Sequence, residues 1–111
     1  MIMATSPEII EYIVGQMQYA GNVYAKKMFG EYGVYLDDKM IALVCDNQLF
    51  IKPTIAGRLF LEEVEEGLPY PGAKPWFLIT EDQWDDADRL SELVMVTATE
   101  VKPVKKKEKK K

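Results

Sequence analysis

Between residues 34 and 52, three apolar runs alternate with two pairs of polar turn-formers. Val34-Tyr35-Leu36 is followed by Asp37-Asp38, then by the run 39–45, then by Asp46-Asn47 and the run 48–52. Short runs rich in Val, Ile, Tyr and Phe, joined by two-residue polar connections, mark antiparallel hairpins, because Asp and Asn tolerate the backbone angles that tight turns demand. A stretch punctuated this way cannot run on as a helix. It is expected to fold as a meander, with the nearly all-apolar run 39–45 as a central strand.

The flanks complete the sheet and supply helices. Residues 23–29 are predicted to form a first strand, and Gly30 and Gly33 around Glu31-Tyr32 suggest a turn or bulge. Upstream, Thr5-Ser6-Pro7-Glu8 reads as a helix start, with Thr5 or Ser6 as the cap. Ile9, Ile10, Ile13, Val14 and Met17 fall on one face at helical spacing, and Gly21-Asn22 ends a helix predicted over 6–20. Downstream, Thr54 caps a second helix with the apolar stripe Ile55, Ala56, Leu59, Phe60 and Val64, which Gly67 ends. Residues 68–75 hold three prolines and a glycine and form a fixed loop. Residues 76–79 are one more strand. Thr80 with Gln83 makes a capping box for a long third helix reaching about residue 100, its inner face formed by Trp84, Ala87, Leu90, Leu93, Val94 and Ala98. The expected fold is α+β: a single antiparallel sheet, a meander plus one later strand, with an N-terminal helix, a middle helix and a long C-terminal helix.

Charge is unevenly distributed. The chain of 111 residues carries a net charge of −4. Residues 1–100 hold seventeen acidic and seven basic side chains, a net of −10, and residues 101–111 hold seven lysines against Glu108, a net of +6. The expected organisation is one domain over 1–100 followed by a disordered lysine-rich tail over 101–111. An acidic body repels the phosphate backbone, so a grip on nucleic acid falls to the tail: Lys102, Lys105, Lys106, Lys107, Lys109, Lys110 and Lys111. The plainer reading of that tail is a solubilising end.

The chain has no histidine and a single cysteine. Ser-His and Cys-His nucleophiles, His-based acid-base catalysis and nearly all zinc sites are thereby excluded. No Walker loop or dinucleotide fingerprint is present. Cys45 closes an apolar strand beside Asp46, which fits a small core residue with a raised pKa better than a nucleophile. Asp82, Asp85, Asp86 and Asp88 fit a solvated helix N-terminus better than a calcium loop, since no glycine turn breaks them. No catalytic residue, metal or cofactor is expected, and the chain is not expected to be an enzyme. The N-terminus shows no basic region ahead of a long apolar run, and no apolar run approaches the ~18 residues that span a bilayer, so a cytoplasmic protein without membrane partners is expected.

Two groups of residues are candidates for recognition. Tyr32, Tyr35, Phe29 and Phe50 with Lys26, Lys27 and Lys52 form an aromatic and basic cluster on the presumed sheet, suited to stacking single-stranded nucleic acid. The competing reading is that alternate residues simply face the core. The loop from Tyr70 to Trp76 brings Tyr70, Lys74 and Trp76 together at a pocket edge. Tyr32, Lys27, Lys52, Tyr70, Lys74 and Trp76 are therefore the candidate partner or ligand surface.

Lys27-Met28-Phe29-Gly30-Glu31-Tyr32-Gly33-Val34-Tyr35 and its continuation to Val44 resemble the signature of the TfoX N-terminal domain, roughly M-F-G-G-Y-G-L-Y-x-D-G-x-M-F-A-L-V. Leu49-Phe50-Ile51-Lys52 is similar to the strand that follows in that family, and Tyr70-Pro71-Gly72 with Lys74-Pro75 to a later loop. Glu31 stands where the pattern has glycine, and so does Asp38 in the hairpin turn. The resemblance implies one antiparallel sheet with flanking helices and a role in regulating competence for DNA uptake, as a protein-binding module whose partner is a transcription factor or polymerase component. Longer family regulators, which act with the cyclic-AMP receptor protein, carry a second helical domain; this chain has no room for one after residue 100, so a stand-alone domain is expected. A nucleic-acid-binding module using the tail and the aromatic-basic sheet face is the alternative. A free sheet edge would also support a homodimer.

Overall fold

The computed structural model describes residues 5–28 and 30–103. Phe29 and the tail candidates Lys105, Lys106, Lys107, Lys109, Lys110 and Lys111 lie outside the described residues; Lys102 lies within them and is exposed. The elements run α1 (Pro7–Gln16), a short 3-10 turn (Gln18–Ala20), β1 (Val23–Met28), β2 (Glu31–Leu36), β3 (Lys39–Cys45), β4 (Gln48–Ile51), α2 (Ile55–Leu61), β5 (Glu66–Gly67), β6 (Trp76–Ile79), α3 (Glu81–Trp84) and α4 (Ala87–Ala98). This is the expected α+β fold. One six-stranded antiparallel sheet has the order β1-β2-β3-β4-β6-β5.

The meander forms as the turns dictate. Asp37 takes a positive φ of 54°, and Asp46 and Asn47 take 53° and 60°. Asp and Asn bear this conformation with little strain, and two successive positive φ angles give the turn the twist that antiparallel strands need. Gly30, at φ 85°, turns β1 into β2. Of the turn or bulge expected at Gly30 and Gly33 the structure makes the turn, and the sheet's register shift lies on β3 instead. Val34 pairs with Ala42 and Tyr35 with Met40, so Ile41 is the extra residue. That insertion lets Ile41 and Ala42 both pack in the core, while Met40 and Leu43 on either side belong to the opposite face.

All the helices contribute to one core. Ile10 and Ile13 of α1, Leu61 of α2, Trp84 of α3, and Leu90, Leu93, Val94 and Ala98 of α4 pack with Val34, Ala42, Val44, Leu49, Ile51, Phe77 and Ile79 of the sheet. Full burial of each such aliphatic side chain contributes about 1.5–3 kcal/mol before entropy is counted. Val101 joins the same core. Buried polar links fix the helices: Trp84 Nε1 donates to the Ile79 carbonyl at 2.8 Å, Gln16 Nε2 to the Trp84 carbonyl at 2.9 Å, and the Ser91 hydroxyl to the Gln16 carbonyl at 3.0 Å.

Of the two caps offered for α1 the structure uses Ser6, its Oγ accepting from Ile9 N–H at 3.3 Å. Two expectations are corrected. The predicted stripe of α2 holds only in part: Phe60 and Val64 do pack against the core. Gly57 and Leu61 face the core, whereas Ile55 and Leu59 are each 73% exposed; Gly67 does not end that helix but pairs with Trp76 in β5. The long C-terminal helix is two helices. The Gln83 side chain does reach back to Thr80 N–H at 3.0 Å, but the chain turns at Asp85 and Asp86, and Asp86 caps a new helix by accepting from Arg89 N–H at 3.1 Å.

Candidate functional site

Opposite the helices, the sheet carries a second apolar patch. Leu43, Cys45 and Phe50 are buried there, with Met40, Trp76 and Leu78 packed against them. Among the described residues no helix contributes to this cluster. The proline-rich loop closes over one end of it. Pro69, Tyr70 and Pro71 face Met28, Leu43 and Cys45 across a cavity of about 520 Å³, whose remaining walls are Glu31 and Tyr32. That volume lies within the ~300–1,000 Å³ usual for small-ligand pockets. Pro69 is buried and Tyr70 is 54% exposed, so the loop is anchored by one residue and offers the next at the rim.

Glu31 is tied down by the fold. Its Oε1 accepts from the Thr5 hydroxyl at 2.7 Å and its Oε2 from Asp46 N–H at 3.1 Å. Asn47 completes the knot: its N–H donates to Thr5 Oγ1 at 3.2 Å, and its Oδ1 accepts from Ser6 N–H at 2.9 Å. The charged residue in the strand thus staples the segment before α1 to the β3–β4 turn. Beside it the Cys45 thiol is pushed up to about 11, first by burial, then by the charges of Glu31 and Asp46. Such a thiol is almost entirely protonated at neutral pH and a poor nucleophile.

The predicted recognition residues divide between several places. Tyr32 and Tyr70 come together as walls of the cavity. Trp76 packs on the outer cluster next to it. Lys27 pairs across the strands with Tyr32 but is exposed, Lys52 follows β4 and gives its backbone N–H to the Ile41 carbonyl, and Lys74 is exposed on the loop; none of the three lines the cavity. The aromatic-basic cluster does not assemble as one platform. Phe50 is buried, Tyr32 packs against the main core, and Tyr35 stacks on Tyr24 at 5.4 Å and 7° with Lys26 Nζ 5.6 Å from its ring. Pro71 lies in the loop expected to line a pocket, whereas Met28, Leu43 and Pro69 were not anticipated as cavity walls. The prolines on both sides of Tyr70 were the available signal.

Elsewhere, Ile55 and Leu59 stand over a shallower hollow of about 350 Å³ with Pro53 and Glu100. Glu100 accepts from the N–H groups of Ile55 at 3.0 Å and Ala56 at 2.7 Å, so the end of α4 caps the start of α2. Among the described residues, no group of three or more Cys, Asp or Glu side chains is placed to hold a metal ion, and no helix is long and apolar enough to cross a membrane.

A meander-based α+β domain, helices on one side of its sheet and a proline-walled cavity on the other, is the class that this fold and site define. The chain belongs to the TfoX N-terminal domain family, whose model matches residues 15–100. It is also 42% identical over 96 residues to an uncharacterised 12.7 kDa protein in the trpE 5′ region of Spirochaeta aurantia, covering 86% of this chain and 83% of the relative.

Proposed function

We propose that this domain is a regulatory protein-binding module, without catalytic activity, that acts in the control of genes for DNA uptake. The observation that carries the reading is the face of the sheet opposite the helices, where a buried apolar cluster adjoins an open cavity rimmed by Tyr70. Leu68, next to that rim in sequence, is exposed as well. Apolar and aromatic side chains gathered around a concave surface are what protein interfaces use as anchors. The raised thiol of Cys45 and the lack of histidine supply no group for chemistry at the same place. Membership of the family favours a task in competence regulation, and the transcription machinery is the expected source of the partner.

The test is a photo-crosslinking amino acid at position 70, with position 19 on the helical side as control. A single dominant partner captured at 70 and not at 19, together with altered expression of DNA-uptake genes in a deletion strain, is the expected outcome. Turnover of a small molecule by the purified protein would overturn the reading. Salt-sensitive DNA binding that disappears on deleting residues 102–111 would favour the nucleic-acid alternative instead.

A further inference from the structure

The cavity between the sheet and the proline-rich loop has a charge character that follows from one residue. Glu31 is the only carboxylate, and the only fully charged type of side chain, among the described residues that line it. Its two oxygens each accept one hydrogen bond, from Thr5 and from Asp46 N–H, at 2.7 and 3.1 Å. A carboxylate has about four acceptor sites, so roughly half of its capacity is left. Among the described residues it has no ion-pair partner. The fold therefore holds a half-buried carboxylate at a fixed position, uncompensated by any cation among the described residues, against apolar walls of Met28, Leu43, Pro69 and Pro71. Asp46 beside it adds a second negative charge, and residues 1–100 carry a net of −10. Tyr70 completes the wall at the rim, and an aromatic ring attracts cations.

We propose that this cavity takes an alkylammonium or guanidinium group carried on an apolar stem, presented by a lysine- or arginine-containing segment of a partner protein. The inference rests on the protein-binding reading of the same face and adds to it the chemistry of what is bound. The stem packs on the methionine, leucine and prolines, and the cationic head meets Glu31 through charge-assisted hydrogen bonds. An anionic group of the same shape is refused, because it would meet Glu31, with Asp46 nearby, and no basic residue among the described lining.

Three probes of one shape test it: 4-phenylbutylamine, 4-phenylbutanol and 4-phenylbutyrate, titrated into the labelled protein while the amide resonances of Gly33, Leu43, Cys45 and Tyr70 are followed. A fourth titration uses a capped peptide of alternating leucine and lysine. The amine is expected to bind roughly tenfold tighter than the alcohol, the value of one modest charge-assisted contact, and the butyrate more weakly than either. Glu31→Gln removes the preference for the amine. Should that variant fold poorly for want of its bonds to Thr5 and Asp46, Tyr70→Ala, in an exposed loop, weakens all three probes instead. Equal binding of amine and alcohol by the unaltered protein, or shifts confined to other surfaces, overturns the proposal. Binding of the amine without the peptide keeps the cation site and removes the protein partner. A partner crosslinked at position 70 whose affinity ignores Glu31→Gln keeps the partner and removes the cation site.

Discussion

The Cys45 thiol closes β3 with Glu31 and Asp46 as its charged neighbours, and its pKa of about 11 against an ordinary 9.0 has two consequences. At neutral pH its thiolate fraction is roughly a hundredfold below that of an exposed cysteine, so alkylation by iodoacetamide is expected to be slow and to quicken about tenfold per pH unit toward pH 11. Glu31→Gln removes one of the raising charges and should speed the reaction; a rate at neutral pH equal to that of a free thiol would contradict the burial and the field together. The second consequence concerns stability. A group whose folded pKa is raised is favoured in its neutral form by the fold, so its contribution is whole below pH 9 and is lost as pH climbs toward 11. Urea midpoints of the parent should therefore fall more between those pH values than those of Cys45→Ala. Thr97 makes a simpler case. Its hydroxyl is fully buried and finds no hydrogen-bond partner among the described residues. An unpaired buried hydroxyl costs about 1–3 kcal/mol, so Thr97→Val should raise the unfolding free energy by about 1 kcal/mol in a urea titration, provided the added methyl fits. The direction of the Cys45 shift could be read from Asp46 alone. Its larger causes could not, because burial and the approach of Glu31 depend on strand pairing.

At the scale of elements, the sheet was legible because turns and strands are encoded locally, in Asp37-Asp38, Asp46-Asn47 and the runs between them. The packing of α2 was not. Ile55, Ala56, Leu59, Phe60 and Val64 satisfy helical spacing, yet of these only Phe60 and Val64 pack on the core, and the buried face of α2 is the one bearing Gly57 and Leu61. A Cβ at Gly57 would lie 2.8 Å from Thr54 Oγ1 and 3.5 Å from Thr97 Oγ1, so the helix meets its neighbours where it has no side chain. Hydropathy cannot see a contact made by the absence of a group. Two substitutions separate the faces: Gly57→Ala should cost about 1–3 kcal/mol through overpacking against the Thr54 cap, whereas Leu59→Ser should change stability by less than ~0.5 kcal/mol. A large loss from Leu59→Ser would restore the stripe expected from the sequence. The break between α3 and α4 was equally hidden, since Asp85-Asp86 fits a continuous helix as well as a new cap. The structure uses Asp86 as the cap, and Asp86→Ala should cost about 1 kcal/mol, a loss absent if α3 and α4 were one helix.

For the whole molecule, the central asymmetry is that of the sheet. β2, β3, β4 and β6 each have a strand on both sides, while β1 and β5 are edges. β5 is two residues long and offers little backbone to another chain, but β1 has six. A free edge of that length invites pairing with a second copy. In this chain the edge carries Lys26 and Lys27, both exposed. Two such edges meeting antiparallel would bring like charges close together, and like charges directly opposite are destabilising. The expected state is therefore an unpaired edge, and hydrogen exchange reads it directly. Amides of β3 and β4 should exchange only through global unfolding, and those of β1 faster, through local opening, at every protein concentration. If β1 protection instead rose toward that of β3 as the protein was concentrated, the edge would be closed by a second copy, and the lysines would have to sit in register with acidic groups such as Glu31 rather than with each other.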